Sequence, residues 1–264
     1  VCFYEKVLRY AAKYQESQNS SQVSLFGAAS DVQIPEPELP AAEPWGAIKK
    51  LKQEKEVVGI YISGHPLDEF RTEMTEFCNV KVADCQDLIP FTNREIAFGG
   101  IISGVEHRVT RQGKEWGLFT LEDYDDSYEF RIFGEEYLKF RHFLKINAFL
   151  YIKAYVKEGW VNRDTGKRGE PRLQFNHFQL LHDVLESLAK KITFSIPIDV
   201  LDQAYIDRLK KVVEQHRGTK SVHLSVFDKE DNVHLSLSSR KSKVLINREL
   251  IKRLTQDQVY FKLN

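Results

Sequence analysis

AFGGIISGVEHRV, residues 97–109, is the stretch from which the fold is read. It is an apolar run interrupted by Gly99, Gly100 and Gly104, positions where a strand bends sharply or admits another backbone closely. A polar turn, Arg111-Gln112-Gly113-Lys114, leads to the alternating run Trp116–Leu121, and a second turn, Asp123 to Ser127, leads to Tyr128–Phe133. These are three hairpin-linked strands. A helical stretch from Glu135 to Phe143 follows, then a strand from Ala148 to Val156, a charged loop from Lys157 to Glu170, and a strand from Arg172 to Leu181.

Three strands, a helix and two strands is the order of an OB-fold, and the stretch reads as a small closed barrel. The β2–β3 face of that fold and its 1–2 and 4–5 loops bind oligonucleotides or oligosaccharides. Alternation assigns Phe119, Leu121, Phe130 and Ile132 to the core and Trp116, Arg131 and Phe133 to the outer face. Bases can stack on such rings and arginine can meet phosphate. Arg108, Arg111 and Lys114 gather positive charge at the first turn. Arg163, Lys167, Arg168 and Arg172 lie in or beside the long loop, which also carries Trp160, and Glu158, Asp164 and Glu170 dilute that charge.

The 264 residues carry 38 basic and 38 acidic side chains, so no global field draws the chain to a polyanion, and any nucleic-acid binding must come from local patches. No apolar run is long enough to span a membrane and no secretory signal opens the sequence. Val1 in place of Met suggests an excised piece of a longer protein. Cys2, Cys78 and Cys85 are too few and too irregular for a zinc site or a disulfide framework, and fit reduced thiols.

Residues 1–15 read as one amphipathic helix left from a preceding domain. From 16 to 44 the composition turns to Ser, Gln, Pro and acids, a flexible linker. Within it, Gln22, Val23, Ser24, Leu25 and Phe26 place two bulky apolar residues where little local structure can cover them. They either dock in a partner's pocket or fold back on the chain's own surface. Residues 45–95 form a helical connector, with a helix over Ala47–Val58, a break at Ser63-Gly64, and a helix from Pro66 to Phe77; His65 sits at the turn before Pro66 in a structural role. The barrel occupies 96–182. Beyond it, 190–264 reads β-α-β-β-α-β, an order typical of ferredoxin-like layouts, with His223 and His234 as surface histidines of facing strands. The fold class is therefore α+β and multidomain: an OB-fold barrel and a small βαββαβ domain after a helical segment and linker.

The block Val58-Gly59-Ile60-Tyr61-Ile62-Ser63-Gly64-His65-Pro66-Leu67-Asp68, followed by a barrel whose second strand ends Phe119-Thr120-Leu121-Glu122-Asp123, resembles the C-terminal third of the α subunit of bacterial DNA polymerase III. In that family a clamp-binding peptide of the form Gln-x-x-Leu-Phe precedes the block, and Gln22 to Phe26 matches it in sequence and position. The resemblance implies the sliding clamp as partner of that peptide, single-stranded template DNA as ligand of the barrel, and the tau subunit of the clamp loader as partner of the terminal domain. It implies a place in the bacterial replisome, in the cytoplasm.

No phosphate-binding loop, nucleophile elbow or HExxH motif occurs, and the one dense acidic run, Glu122-Asp123-Tyr124-Asp125-Asp126, falls in a hairpin turn. No cofactor is called for, and the piece is expected to be noncatalytic even if its parent is a nucleotidyltransferase. Two other functions stay open: a nucleic-acid-binding barrel of another machine, such as an anticodon-binding domain, and an interaction scaffold with no nucleic-acid role.

Overall fold

The computed structural model describes residues 2–19, 35–38, 45–161, 168–228 and 233–264. The chain divides into two compact units, Val1–Ile60 and Tyr61–Asn264. The first contains α1 (Cys2–Asn19) and α2 (Ala47–Val58). Gly59 ends α2 in the left-handed conformation, φ 85°, and its N–H donates to the Lys55 carbonyl, as a glycine does when it closes a helix.

The second unit is α+β with two sheets. It opens with a 3₁₀ turn, Pro66–Phe70, and α3 (Arg71–Phe77). His65 caps the turn: its Nδ1 accepts from the Leu67 N–H (3.2 Å), and its own N–H donates to Asp68 Oδ2 (2.7 Å). The first sheet contains β1 (Glu95–Val109), β2 (Glu115–Glu122), β3 (Ser127–Phe133), β4 (Phe149–Lys157) and β5 (Arg172–Leu180), with α4 (Gly134–Phe140) between β3 and β4. Its order is β3-β2-β1-β4-β5. β1 is long enough to serve two partners: its first half pairs with β4 and its second with β2, with an irregularity between Ile102 and Gly104 where it changes partner. Gly100 lies in the pivot. A Cβ there would stand 2.4 Å from the Glu122 carbonyl oxygen, so only glycine admits the crossing.

The expected closure is not formed. β3 and β5 are the sheet's two edges, and no pairing joins them among the described residues. The sheet nonetheless curls until those edges face each other, for the rings of Phe130 on β3 and Phe175 on β5 lie 6.1 Å apart, centroid to centroid. Aromatic bulk fills the seam where ladder hydrogen bonds would have closed it, with Phe119 and Phe178 behind it.

After β5 comes α5 (Leu181–Leu188), then β6 (Lys191–Pro197), α6 (Gln203–Gln215), β7 (Arg217–Asp228), β8 (Val233–Val244), α7 (Arg248–Gln256) and β9 (Tyr260–Leu263). The second sheet has the order β8-β7-β6-β9. The element order is the expected one, but the pairing departs from a ferredoxin-like layout. There the two parallel strands are split by another; here β6 and β7 pair directly and in parallel. Ile192, Phe194, Ile196, Val222 and Val244 turn one face of this sheet into a core shared with Val212, Leu250 and Leu254 of α6 and α7.

The 3₁₀ turn and α3 together join the two sheets. Leu67 and Phe70 pack with Ala97, Ile101 and Phe149 of the first sheet and with Leu181 and Val184 of α5. Phe77 packs against the core of the second. Two carboxylates fix the far side: Glu73, 1% exposed, receives the Arg248 guanidinium (3.1 Å), and Glu76 accepts the Leu263 N–H (3.1 Å). Burial pushes the Glu73 carboxyl above its usual range, and its hydrogen bonds and the Arg248 charge pull the other way.

Candidate nucleic-acid interface

Strand register builds this face one row at a time. Arg108 on β1 stands opposite Trp116 on β2, which stands opposite Phe133 on β3. The three make one continuous stack. The Arg108 guanidinium lies 5.6 Å from the Trp116 ring, and the Trp116 and Phe133 rings are 5.1 Å apart and 17° from parallel. Trp116 is half-buried in the middle of the row, whereas Phe133 at its end is 54% exposed. The next row is Glu106, Leu118 and Arg131. Leu118, two residues from Trp116 and so on the same side of β2, is buried there at 7% exposure, between two long charged side chains.

Phe133 borders two hollows. One, of about 430 Å³, is bounded by Lys114, Trp116, Phe133 and Leu138, between the first turn and α4. The other, of about 790 Å³, is the open seam between β3 and β5, with Glu129, Arg131 and Phe133 on one wall and Lys157 and Arg172 on the other. Glu136 pins the seam by accepting the Phe175 N–H (3.2 Å). The two hollows meet at the Phe133 ring. Leu138 and Lys157 are lining residues that sequence reasoning passed over. No local pattern separates them from other helix and strand residues.

The cations are not equally available. Arg108 pairs with Glu106, Arg131 with Glu129 (3.8 Å) and Arg168 with Glu158 (2.8 Å). Among the described residues Arg111 and Lys114 form no ion pair. Exposed pairs of this kind contribute little and exchange readily for phosphate. Trp160, 71% exposed, stands on the β4–β5 loop beside the Val161–Arg168 bridge, an exposed ring apart from the row. Arg163 and Lys167 lie outside the described residues, as do Gln22, Val23, Ser24, Leu25 and Phe26.

The acidic run is a fastener. Asp123 is buried, and its carboxylate accepts the N–H groups of Val82 (2.7 Å), Asp125 (2.9 Å) and Asp126 (3.0 Å). Lys81 pairs with Asp125 at 2.8 Å. Among the described residues no group of three or more His, Cys, Asp or Glu is arranged to hold a metal ion. Burial pushes the thiols of Cys78 and Cys85 up to about 12, with the Asp123 charge adding to both. No helix is long and apolar enough to cross a membrane among the described residues.

Residues 192–264, which hold nearly all of the second sheet and its two helices, match the family model described as the C-terminal domain of the DNA polymerase III alpha subunit. That match gives the class of protein to which this terminal part is similar, the DNA polymerase III alpha subunits. The rest of the chain follows the same relatives. It is 23% identical to the DNA polymerase III subunit alpha of Vibrio cholerae over 98% of this chain and 22% of that protein. The corresponding subunit of Thermus aquaticus is 29% identical over 84% of the chain and 17% of its own length, and that of Escherichia coli O157:H7 is 24% identical over 82% and 18%. The chain thus resembles the C-terminal region of the alpha subunit of bacterial replicative DNA polymerase III, and spans about a fifth of the length of these curated relatives. Among solved structures, a candidate aspartyl-tRNA synthetase from Leishmania major Friedlin covers 39% of the chain and 20% of its own at 11% identity and a TM-score of 0.26, too loose an overlap to carry an argument.

Proposed function

We propose that this chain is the noncatalytic, tethering end of a replicative DNA polymerase alpha subunit. Residues 96–182 act as an OB-type module that binds single-stranded template across the β2–β3 face and the β3–β5 seam. The single observation that carries this is the Arg108–Trp116–Phe133 row, ending in an exposed ring between two open hollows. The pairing of β1 with both β2 and β4 supports the OB-type reading. Gln22 to Phe26, in the linker 16–44, docks on the sliding clamp, and 190–264 docks on the tau subunit of the clamp loader. Residues 45–95 are the connector, and residues 1–15 end the domain before it. The setting is the bacterial replisome in the cytoplasm, and DNA-directed polymerisation belongs to the parent protein.

The test is a titration of the chain with a labelled single-stranded oligonucleotide and with a duplex of the same sequence. A stacking face prefers unpaired bases. Tighter, salt-sensitive binding of the single strand is expected; equal affinity for the duplex speaks against stacking as the mode of binding.

A further inference from the structure

The second sheet packs one face against α6 and α7, and among the described residues its other face is bare of any helix, with Lys191, Ser221, Lys243 and Lys262 exposed and Thr193, Ser195, His223 and Ser225 half-buried. Because side chains alternate along a strand, the residues between the buried Ile192, Phe194 and Ile196 of β6, and their neighbours in register, all share the bare face. Three rows run across it. In the first, Ser221 on β7 lies between Lys191 on β6 and Lys243 on β8. The second runs Lys262, Thr193, His223, Ser238 across β9, β6, β7 and β8. A third runs Tyr260, Ser195, Ser225, Ser236 in the same strand order.

No carboxylate stands in any row, in a chain whose charges balance overall. The acid-free character extends along β8 and beyond it, since residues 233–248 contain no Asp or Glu but include Arg240, Lys241 and Lys243. The floor is hydroxyls: Ser, Thr and a His234–Ser225 hydrogen bond of 2.7 Å. At its margin Tyr260 is 72% exposed.

We propose that this bare sheet face is a second nucleic-acid site, taking single-stranded nucleic acid with its phosphates on Lys191, Lys243 and Lys262 and a base on Tyr260. Three observations favour that occupant over an acidic protein segment or over charges that merely guard an edge. Protein partners are anchored in desolvated apolar pockets, and the rows offer small hydroxyls instead. Hydroxyl and ammonium donors are the groups that position a phosphodiester backbone, and an exposed ring is what holds an unpaired base. Lysines guard edge strands, and Lys243 and Lys262 stand on the edge strands β8 and β9, but Lys191 sits on β6, an interior strand with neighbours on both sides, where it guards no edge.

The test uses the whole chain carrying Trp116→Ala and Phe133→Ala, so that the β2–β3 face is disabled, and a labelled oligo-dT of about 20 nucleotides. This chain is expected to retain salt-dependent binding. Adding Lys191→Gln, Lys243→Gln and Lys262→Gln should weaken it and lower the slope of log affinity against log salt by about 2, at about 0.7 per lost phosphate contact. The matching Lys→Arg triple should keep both, which separates charge from folding. Unchanged affinity and slope in the glutamine triple overturn the proposal. So do tighter binding of a duplex, competition by poly-glutamate equal to that by oligonucleotide, and increased self-association with no change in binding.

Discussion

Trp116 and Phe133 stack across the β2–β3 pair with their ring centroids 5.1 Å apart, so Trp116 has Arg108 on one side and Phe133 on the other. A ring held on both sides cannot take a base without giving up a partner. The free surface of the row is therefore Phe133. Phe133→Leu, which keeps apolar bulk but loses the flat ring, is expected to weaken single-strand binding by about 1–3 kcal/mol with little change in melting temperature, and Phe133→Tyr to retain binding. Oligonucleotide titrations beside thermal melts check this, and a Leu variant that binds like the parent removes Phe133 from the site.

The clamp peptide is an assignment from sequence. The double substitution Gln22→Ala, Phe26→Ala is expected to abolish binding of the chain to purified bacterial sliding clamp while leaving oligonucleotide affinity unchanged. Surface plasmon resonance on immobilised clamp reads the first and anisotropy the second. Equal clamp binding by parent and variant rules the peptide out.

Glu73 and Arg248 hold the second sheet to α3, with the Arg248 guanidinium 4.0 Å from the Phe70 ring. Arg248→Ala strands a buried carboxylate and should cost about 3 kcal/mol, or roughly 6–12 °C in melting temperature. A carboxyl raised by burial contributes stability that is full below its unfolded range and is lost as pH rises through the raised folded value. The cost of Arg248→Ala should accordingly shrink near pH ~4, where the unfolded carboxyl also holds its proton, and be complete at neutrality. Glu73→Gln in the same chain should recover part of the loss, measured as urea midpoints. An additive double variant would mean that the pair is not coupled.

Cys78 and Cys85 should be inert. With both thiols pushed up to about 12 by burial, a Cys2→Ser chain is expected to show no fast reaction with a thiol reagent at mildly alkaline pH until denaturant is added. Because these thiols titrate later when folded than when unfolded, stability should fall as pH rises from about 9 towards 12. Prompt modification of either one in the native chain would show that the pocket around it opens.

Asp123→Ala leaves three backbone N–H groups without their acceptor, two of them in the β2–β3 turn and one at Val82. Each hydrogen bond to a charged group is worth about 1.5–3 kcal/mol, so a loss of about 3 kcal/mol or more is expected. Asp123→Asn, which keeps the acceptor oxygen, should lose less. Equal losses would show that the charge rather than the geometry matters.

Much of this architecture is written in local pattern. The strands from Glu95 to Phe133 follow from alternation and turn residues, and α2 from its Lys/Glu periodicity and Gly59. What escapes the sequence is set by distant partners. α5 carries Leu181, Val184, Leu185 and Leu188 at helical spacing, yet it follows β5 without a break at Leu180-Leu181, so the change of period is masked. The open seam depends on how Phe130 and Phe175 fill the space between strands some 45 residues apart in sequence, which no window of neighbours records. β8 runs on through Ser239–Lys243, where pairing with β7 is irregular and alternation is lost. Burial of Asp123 is invisible in a run of acids that locally reads as a solvated turn. Of the candidate face, Trp116, Phe133 and Arg108 were legible because register rows follow once the hairpins are fixed. Glu106 and Glu129, the intrastrand partners of Arg108 and Arg131 and two residues from each, were equally visible and reduce the free charge.

The measurement that tests the account most directly is the binding of a labelled single-stranded oligonucleotide to the whole chain across a series of salt concentrations, for the parent and for Trp116→Ala with Phe133→Ala. Salt-dependent binding by the parent is expected, weakened in the variant by about 1–3 kcal/mol for each base that loses its ring. Binding that is absent at low salt, or that is the same in both proteins, would contradict it.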